Sequence, residues 1–209
     1  MPKHILILNG HPDRNRLCGA LADAYQNAAA KGVERAEMAE IQRFDLADMQ
    51  FNANLSQGYA EQAPLEPDLL RFQQALRDCD HLLLVAPVWW GSVPARLKGL
   101  FDRTLLPGFA FRYEAGQTLQ EKLLRGKSAE VFLTLDTPPW YFRWFQKAPA
   151  VYQLNHATLG FCGFKPVTTT LFGPVIKSSA EQRQQWLQQA ASKGRKIASA
   201  SKRAAAHSM

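Results

Sequence analysis

The sequence predicts an α/β fold in which a doubly wound, five-stranded parallel sheet carries helices on both faces. Short apolar runs of strand length alternate along the chain with segments whose apolar residues recur at helical spacing. The runs are nearly continuously apolar, which is typical of strands that are buried on both faces. Parallel strands need crossover connections, so the alternation predicts right-handed strand–helix–strand units.

The first unit opens the chain. Residues 4–8, HILIL, form an apolar run that ends in an Asn-Gly pair, which predicts a buried strand followed by a turn. From Leu17 the apolar residues recur at helical intervals, so a helix is predicted that ends at Gly32. A weaker apolar stretch near residues 36–42 predicts the second strand.

The middle of the chain predicts a loop, a helix and the strongest strand. Residues 49–66 are rich in Asn, Gln, Pro and Gly, which indicates a long loop. Pro67 suits the first turn of a helix whose apolar stripe continues to Cys79, and residues 82–86 then form the clearest strand pattern. A tight turn, PVWWGS, precedes a helix predicted over residues 94–104.

The last third of the chain completes the predicted sheet. Strands are predicted at residues 130–135 and 167–172, with a helix between them over residues 149–162. The run Ser178-Ser179-Ala180-Glu181 has the pattern of a capping box and predicts the start of a terminal helix.

Composition and charge exclude several classes of protein. The 209 residues suffice for one compact domain, which we place over residues 1–200, followed by a basic tail over 201–209. Much of the net charge of +7 lies in the last helix and this tail, without interleaved aromatic residues, so nucleic-acid binding is not expected. No apolar segment has the length of a membrane span, so no membrane insertion is expected.

The cysteines and histidines point away from disulfides and metals. Cys18, Cys79 and Cys162 are widely spaced and odd in number, which argues against a disulfide framework or a structural zinc site. The five histidines show no metal-ligand spacing. We therefore expect a reducing, cytoplasmic location and no metal ion.

The predicted topology directs attention to three loops. Doubly wound sheets bind ligands outside the carboxyl ends of the strands, where the strand order reverses. The loops at these ends are residues 9–17, 87–94 and 135–144.

The first loop joins a buried strand to a helix N-terminus, where free N–H groups and the helix dipole favour an anion. His11, Asn15 and Arg16 add side-chain donors, whereas Asp13 is expected to organise the loop. Neither a P-loop nor a G-x-G-x-x-G fingerprint is present. The loop is therefore a candidate phosphate site, and a nicotinamide dinucleotide is expected only as a diffusible substrate.

The second and third loops are aromatic. Trp89 and Trp90 cannot both point into one core from an extended segment, so at least one is expected to face the cleft or a partner. Aromatic planes and backbone amides at this position suit a flat, hydrogen-bonding ring such as isoalloxazine. The aromatic run over residues 140–144 suits either a dimer interface or a substrate pocket.

Several motifs along almost the whole chain match one family: LNGHPD at the first turn, FDL followed by FN, PVWWGSVPARLKGLFDR, GFAFRY and GFCGF. With these motifs the chain resembles the flavodoxin-like NAD(P)H:quinone oxidoreductases. This group includes DT-diaphorase-like enzymes, drug-activity modulators and the ancillary flavoproteins of potassium efflux. The resemblance implies a flavodoxin-like fold and a homodimer with two sites at its interface.

The resemblance also implies a set of binding residues. The flavin phosphate is expected at His11, Asn15, Arg16, Leu17 and Cys18. The isoalloxazine ring is expected between the second and third loops, at Pro87, Val88, Trp89, Trp90, Gly91, Asp136 and Thr137. The aromatic wall of the substrate pocket is expected at Phe111 and Tyr113, and the third loop adds Trp140.

One departure from the family concerns catalysis. Well-known members have a Thr-Thr-Gly-Gly turn followed by a Tyr and a His that support charge on the reduced flavin. Here the corresponding segment reads DTPPWY and ends at Tyr141. Tyr141 is the candidate proton donor or oxyanion partner, and backbone N–H groups of the second and third loops are the alternative.

The expected reaction passes hydride from NAD(P)H to the flavin and then two electrons to a quinone or a similar acceptor. FMN is the expected flavin and FAD is the alternative, because the loop over residues 49–66 is short for an adenine pocket. Two other functions stay open. They are a regulatory flavoprotein that docks on a membrane transporter and a flavodoxin-type electron carrier.

Overall fold

A computed structural model of the chain describes residues 3–31, 39–56, 58, 64–114, 116 and 119–199. Its main sheet has five parallel strands: β1 (His4–Asn9), β2 (Glu40–Asp45), β3 (His81–Pro87), β6 (Ser128–Thr134) and β7 (Val167–Phe172). Along the chain, β3 is followed by a two-stranded antiparallel hairpin formed by β4 (Phe111–Arg112) and β5 (Glu121–Lys122). This hairpin is separate from the main sheet and precedes β6 in the sequence. The strand order of the main sheet is β2-β1-β3-β6-β7, which confirms the predicted doubly wound fold class.

Helices cover both faces of the sheet. They are α1 (Leu17–Lys31), α2 (Pro67–Asp78), α3 (Ala95–Thr104), α4 (Pro139–Trp144), α5 (Pro149–Tyr152) and α6 (Ala180–Ser199), and a π-helical segment, Gln153–Gly160, continues α5. Because successive strand side chains point to opposite faces, Ile5 and Ile7 pack in the core under α1 and α6. Leu6 and Leu8 pack in the second core, under α2 and α3.

The strand order reverses between β1 and β3, which are adjacent and parallel. Strand β2, which follows β1 in the chain, pairs with one side of β1. Strand β3 pairs with the other side of β1, and β6 and β7 extend the sheet from β3. Asn9 pairs with Val85 at the carboxyl ends of these two strands, and β6 lies next to β3. The three candidate loops therefore leave the same edge of the sheet side by side.

Three parts of the sequence-based prediction need correction. The second strand is Glu40–Asp45, so it continues three residues past the predicted range 36–42. Residues 36–38 of that range and the predicted helix end at Gly32 lie outside the described residues. Helix α4 interrupts the predicted loop 135–144, because Pro139 occupies its first turn and Phe142 anchors it in the core. The short β4–β5 hairpin was not predicted, since two-residue strands carry no detectable periodicity.

The terminal helix begins one residue later than a capping box at Ser178 requires. Helix α6 starts at Ala180, and the Gln182 N–H donates to Ser179 Oγ at 3.2 Å. Ser179 is therefore the N-cap residue and Gln182 occupies the third helical position. The predicted helix is confirmed, and its capping residue shifts by one position.

None of the helices formed by the described residues combines the length and the hydropathy needed to cross a membrane.

Candidate active site

A cavity of about 580 Å³ lies at the carboxyl edge of the sheet and is bounded by the three candidate loops. Its volume falls within the usual range of small-molecule sites. The predicted residues that line it are His11, Asn15, Arg16, Leu17, Cys18, Pro87, Val88, Trp89 and Asp136. Ala20, Thr134, Leu135, Val175, Arg183 and Leu187 complete the wall.

Hydrogen bonds within the first loop hold its shape. Buried Asn9 donates from Nδ2 to Asp45 Oδ1 at 2.8 Å and accepts the His11 N–H at 3.2 Å. The Gly10 N–H donates to the Val85 carbonyl at 2.7 Å, which ties the start of the loop to β3. The loop is thus fixed to both neighbouring strands before any ligand binds.

Asp13 organises the second half of this loop, as the sequence led us to expect. Its carboxylate accepts the Asn15 N–H at 3.0 Å and the Arg16 Nε–H at 2.7 Å. The Asn15 N–H, followed by the Arg16 guanidinium, holds the pKa of this carboxyl below its usual range. The negative charge of Asp13, next to the candidate phosphate site, is therefore compensated by groups of the loop itself.

Helix α1 points its N-terminus at the cavity. Leu17 and Cys18 begin the helix and line the wall, and the first N–H groups of a helix have no partner within the helix. These N–H groups and the helix dipole supply a positive potential at this end of the cavity. The Arg16 guanidinium also lies at this wall, where it pairs with the Asp13 carboxylate at 2.7 Å.

Gly19 allows the loop to fold back onto α1. A Cβ atom at this position would lie 1.9 Å from the Arg14 carbonyl oxygen, although real Cβ contacts essentially never fall below 3.0 Å. Only a residue without a side chain permits this approach. Gly19 was not predicted from the sequence, because glycine within a helix pattern gives no direct sign of a close backbone contact.

His11 is held as a neutral donor at the edge of the cavity. Its Nδ1 accepts the Asp13 N–H at 2.9 Å, so the neutral ring carries its proton on Nε2. Burial is the largest cause that lowers the pKa of His11 below the usual value, which keeps the ring neutral at pH 7. The ring meets Trp89 edge to face, with 5.9 Å between centroids.

The two adjacent tryptophans have different environments. Trp89 lines the cavity, whereas Trp90 is fully exposed at the tip of a tight turn. Trp89 and Ser92 exchange two backbone hydrogen bonds of 2.9 Å, and Trp90 and Gly91 have φ values of 51° and 75°. Positive φ at both central residues characterises a type I′ turn, which directs Trp90 and Gly91 away from the cavity wall.

The third loop contributes Asp136 to the cavity but not Thr137. Asp136 Oδ1 accepts the Ile176 N–H at 3.0 Å, which links this loop to the segment after β7. That segment brings Val175, and the first turns of α6 bring Arg183 and Leu187. These residues were not predicted from the sequence, although the predicted last strand also ends at this edge and leads into a second helix N-terminus.

The predicted substrate-pocket residues lie in two separate places within one chain. Phe111 and Tyr113 line a second cavity of about 550 Å³, where Phe111 also contacts Phe161 with 5.0 Å between ring centroids. Trp140 lines an open groove beside β7 and α6. A single chain therefore does not assemble these three aromatic residues around the first cavity.

Tyr141 also lies outside the wall of the first cavity. Its ring stacks on Phe145, with 5.1 Å between centroids and 10° between planes. By contrast, Asp136 lines the cavity, and its N–H donates no hydrogen bond to any other described residue. The geometry of one chain thus favours the backbone alternative over the phenol for contact with a ligand in this cavity.

The three cysteines are free and buried. Burial raises the pKa of each thiol to about 12, so the sulfur atoms are protonated near neutral pH. Cys18 Sγ lies 3.3 Å from Thr134 Oγ1 at the cavity wall and packs there as a small apolar group. None of the three is activated as a nucleophile.

The parallel sheet, with its reversal of strand order between β1 and β3 and its ligand cavity at that point, defines a flavodoxin-like α/β protein. The model of the flavodoxin-like fold family matches residues 3–196, and the chain belongs to this family.

Two relatives and one solved structure agree with this assignment. The chain is 39% identical over 129 residues to the ribosyldihydronicotinamide dehydrogenase (quinone) of Rattus norvegicus, which covers 57% of this chain and 52% of the rat protein. The chain therefore aligns with about half of that relative's length. It is 28% identical over 196 residues to an uncharacterized NAD(P)H oxidoreductase of Haemophilus influenzae, covering 90% and 92% of the two chains.

The solved structure shows the same fold. The NAD(P)H:quinone oxidoreductase from Methanothermobacter marburgensis superposes with a TM-score of 0.80 at 24% identity, covering 94% of this chain and 100% of the other. The two relatives confirm the resemblance to the flavodoxin-like NAD(P)H:quinone oxidoreductases that the sequence motifs indicated, and the solved structure confirms the fold.

Proposed function

We propose that this protein binds FMN in the cavity at the switch point and catalyses electron transfer from NAD(P)H to a quinone. The observation that carries the proposal is that a helix N-terminus, a basic loop and the Trp89 turn all line the same cavity. These groups suit a ligand with an anionic end and a flat aromatic end. The names of the relatives support the reaction class.

The residues at the anionic end fit a phosphate monoester. Leu17 and Cys18 offer helix N–H groups, and Asn15 and Arg16 offer side-chain donors at the same wall. Arg183 lies on the wall from another element, and its Nε donates to Ser178 Oγ at 2.8 Å, which orients the guanidinium. Charge-assisted hydrogen bonds to phosphate oxygens are among the stronger polar contacts in proteins.

The residues at the other end fit a flat ring. Pro87, Val88 and Trp89 form one wall, and Asp136 lies on the neighbouring loop. When bound, the flavin supplies the ability to accept a hydride and to release two electrons to an acceptor. The protein contributes position and charge stabilisation, since the Asp136 N–H and the neutral His11 ring are donors at the wall.

We propose Tyr141 as the group to test as proton donor or oxyanion partner, with a hydrogen bond from the Asp136 N–H as the alternative way to stabilise negative charge. Tyr141→Phe removes only the hydroxyl and keeps the stacking on Phe145. If the phenol donates the proton, flavin reduction or reoxidation slows in this variant. If the backbone N–H carries the role, both half-reactions keep their rates in stopped-flow measurements.

We propose that the functional unit is a homodimer. Phe111 and Tyr113 line a cavity separate from the one proposed for FMN, so a second copy is needed to bring such aromatic side chains over the flavin. Light scattering of the purified protein measures the dimer directly. A strictly monomeric protein with full activity would contradict this part of the proposal.

We also propose a reducing, cytoplasmic environment, which the three free buried thiols support.

The decisive experiment begins with the absorbance of the purified protein. We expect a flavin spectrum, release of FMN rather than FAD on denaturation, and parallel initial-rate plots with NAD(P)H and a quinone, as a ping-pong cycle requires. Comparing NADH with NADPH identifies the donor. A colourless protein that does not bind added FMN or FAD would refute the proposal, and release of FAD would replace only the cofactor assignment.

A further inference from the structure

The first cavity has a single acidic side chain among the described residues of its wall, and that side chain is Asp136. Asp136 follows β6, the strand that pairs with β3, so its loop leaves the sheet beside the turn that carries Trp89. This is the part of the cavity in which we propose the flat ring. A carboxylate there raises the energy of any negative charge that a bound ring acquires.

Hydrogen bonds hold the Asp136 carboxylate and its loop in place. The carboxylate accepts the Ile176 N–H on Oδ1 at 3.0 Å. The Leu135 N–H donates to the Phe172 carbonyl, and the Val175 N–H donates to the Leu135 carbonyl, both at 3.0 Å. The third loop is therefore fixed to the end of β7 and to the segment that follows it.

Close packing adds to this restraint. A Cβ atom on Gly173 would lie 2.5 Å from the Leu135 carbonyl oxygen and 3.2 Å from the Thr137 carbonyl oxygen. The segment after β7 thus lies directly against the loop on both sides of Asp136. A loop packed this closely keeps its shape when the charge in the cavity changes.

The two cations of the cavity wall are directed at other groups. Arg16 Nε donates to the Asp13 carboxylate at 2.7 Å, and Arg183 Nε donates to Ser178 Oγ at 2.8 Å. Neither guanidinium forms an ion pair with Asp136. The negative charge of Asp136 is therefore offset less directly than that of Asp13.

The third loop also offers few donors that could offset this charge. Pro138 and Pro139 have no backbone N–H, and Thr137 does not line the cavity. The Asp136 N–H, which we propose above as a donor to the ring, thus acts against the carboxylate of the same residue. A full charge acts over a longer range than a single N–H dipole.

We propose that the Asp136 carboxylate makes the bound flavin a stronger reductant, because it disfavours the negative charge that the ring acquires on reduction. This inference rests on the function proposed above, since it requires FMN in the first cavity. A ring that is bound less tightly when reduced than when oxidised has a lower midpoint potential, by linkage. Asp136 thereby extends the range of acceptors toward quinones of lower potential.

The overall reaction keeps its balance. NAD(P)H supplies two electrons and one proton as hydride, and a second proton from water completes the hydroquinone. Asp136 neither gives nor takes a proton in this scheme. Its carboxylate changes only how the free energy of the reaction is divided between the two half-reactions.

The matched variant is Asp136→Asn, which removes the charge and keeps the contacts. The amide Oδ1 can accept the Ile176 N–H as the carboxylate does, and the backbone N–H of residue 136 is retained. Asp78→Asn is the control. It removes an equal charge from an exposed position at the C-terminal end of α2, just before β3 begins at the opposite edge of the sheet.

The first measurement is the midpoint potential of the FMN-loaded protein, by equilibration with a reference dye, together with the affinity for oxidised FMN. In Asp136→Asn we expect reduced FMN to bind about tenfold more tightly relative to oxidised FMN, a positive shift of about 30 mV for a two-electron couple. Asp78→Asn should keep the wild-type potential.

Two results of this measurement would overturn the proposal. One is an unchanged or more negative potential in Asp136→Asn. The other is an equal weakening of oxidised and reduced FMN, which would assign the carboxylate to an uncharged partner such as a ribityl hydroxyl.

Sulfite tests the same charge without turnover, because it adds to an oxidised flavin to form an anionic adduct. Asp136→Asn should bind sulfite about tenfold more tightly than the wild-type protein at the same pH, whereas Asp78→Asn should not. Equal sulfite affinity in Asp136→Asn and the wild-type protein would contradict the proposed role.

Turnover separates this inference from the function on which it rests. Asp136→Asn should reduce a naphthoquinone of low potential more slowly than the wild-type protein and a benzoquinone of high potential at a similar rate. If the protein binds FMN but reduces no quinone, the proposed function fails while the potential and sulfite affinity still decide the role of Asp136. A protein that binds neither FMN nor FAD would refute both.

Discussion

The close contact at Gly19 makes the first loop, which we propose as the phosphate site, sensitive to a single added methyl group. In Gly19→Ala the new Cβ would lie 1.9 Å from the Arg14 carbonyl oxygen, so the two segments must separate by more than 1 Å to reach the 3.0 Å limit of real contacts. The loop is the part that can move, because α1 is anchored in the core by Leu21 and Tyr25. We therefore expect the displacement to fall on residues 11–16.

The expected change in the free energy of unfolding of Gly19→Ala follows from two opposing effects. Overpacking of this kind costs about 1–3 kcal/mol, and replacement of glycine by alanine within a helix returns about 0.5–1 kcal/mol. The net loss in the free energy of unfolding is therefore small, about 0–2.5 kcal/mol. A shift of Asn15 and Arg16 weakens charge-assisted contacts with a phosphate, which are worth about 1.5–3 kcal/mol each. FMN affinity should then fall by about tenfold to a hundredfold.

The assay is a titration of apoprotein with FMN, followed by the quenching of flavin fluorescence, together with thermal unfolding. Gly194→Ala is the matched control, because its Cβ would lie 2.3 Å from the Tyr25 carbonyl oxygen, in the contact between α1 and α6 and outside the cavity lining. It should lower thermal stability and leave FMN affinity unchanged while the protein is folded. Wild-type FMN affinity in Gly19→Ala would refute the reasoning.

Three further predictions concern other parts of the molecule. Burial lowers the pKa of His81 to about 3, so the unfolded chain binds a proton below its ordinary pKa of 6.5 while the native state does not. The His81 contribution to the free energy of unfolding should fall by about 3 kcal/mol from pH 7 to pH 4, so urea unfolding of His81→Asn should show a smaller decrease over this range; an equal decrease would contradict this role of His81. Arg183→Gln should weaken FMN binding about fivefold in titrations, whereas Arg195→Gln, exposed on the same helix, should not; equal effects would exclude a local role. Tyr141→Phe should change flavin reduction or reoxidation only if its hydroxyl donates the proton, and stopped-flow traces decide this.

Local sequence patterns were sufficient for the order of elements and for the position of the cavity. Continuous apolar runs predicted the strands at residues 4–8 and 82–86, because a strand buried on both faces leaves no polar positions. The alternation of strands with helices then predicted a parallel sheet, and the physics of such sheets puts ligand loops at the carboxyl edge. Nine of the predicted cofactor residues line the cavity for this reason; Trp90, Gly91 and Thr137 do not.

Contacts between distant segments had to come from the tertiary structure. The sequence predicted that at least one of Trp89 and Trp90 faces the cleft or a partner, but the type I′ turn, held by Trp89 and Ser92, decided which of them faces the cavity. Val175, Arg183 and Leu187 reach the cavity because β7 ends beside β6, which is a property of strand order rather than of local pattern. The sequence by itself determined the class of fold and the edge that carries the site, since both follow from periodicity. Only the packed structure decided which side chains meet there, since this depends on distances between segments far apart in the chain.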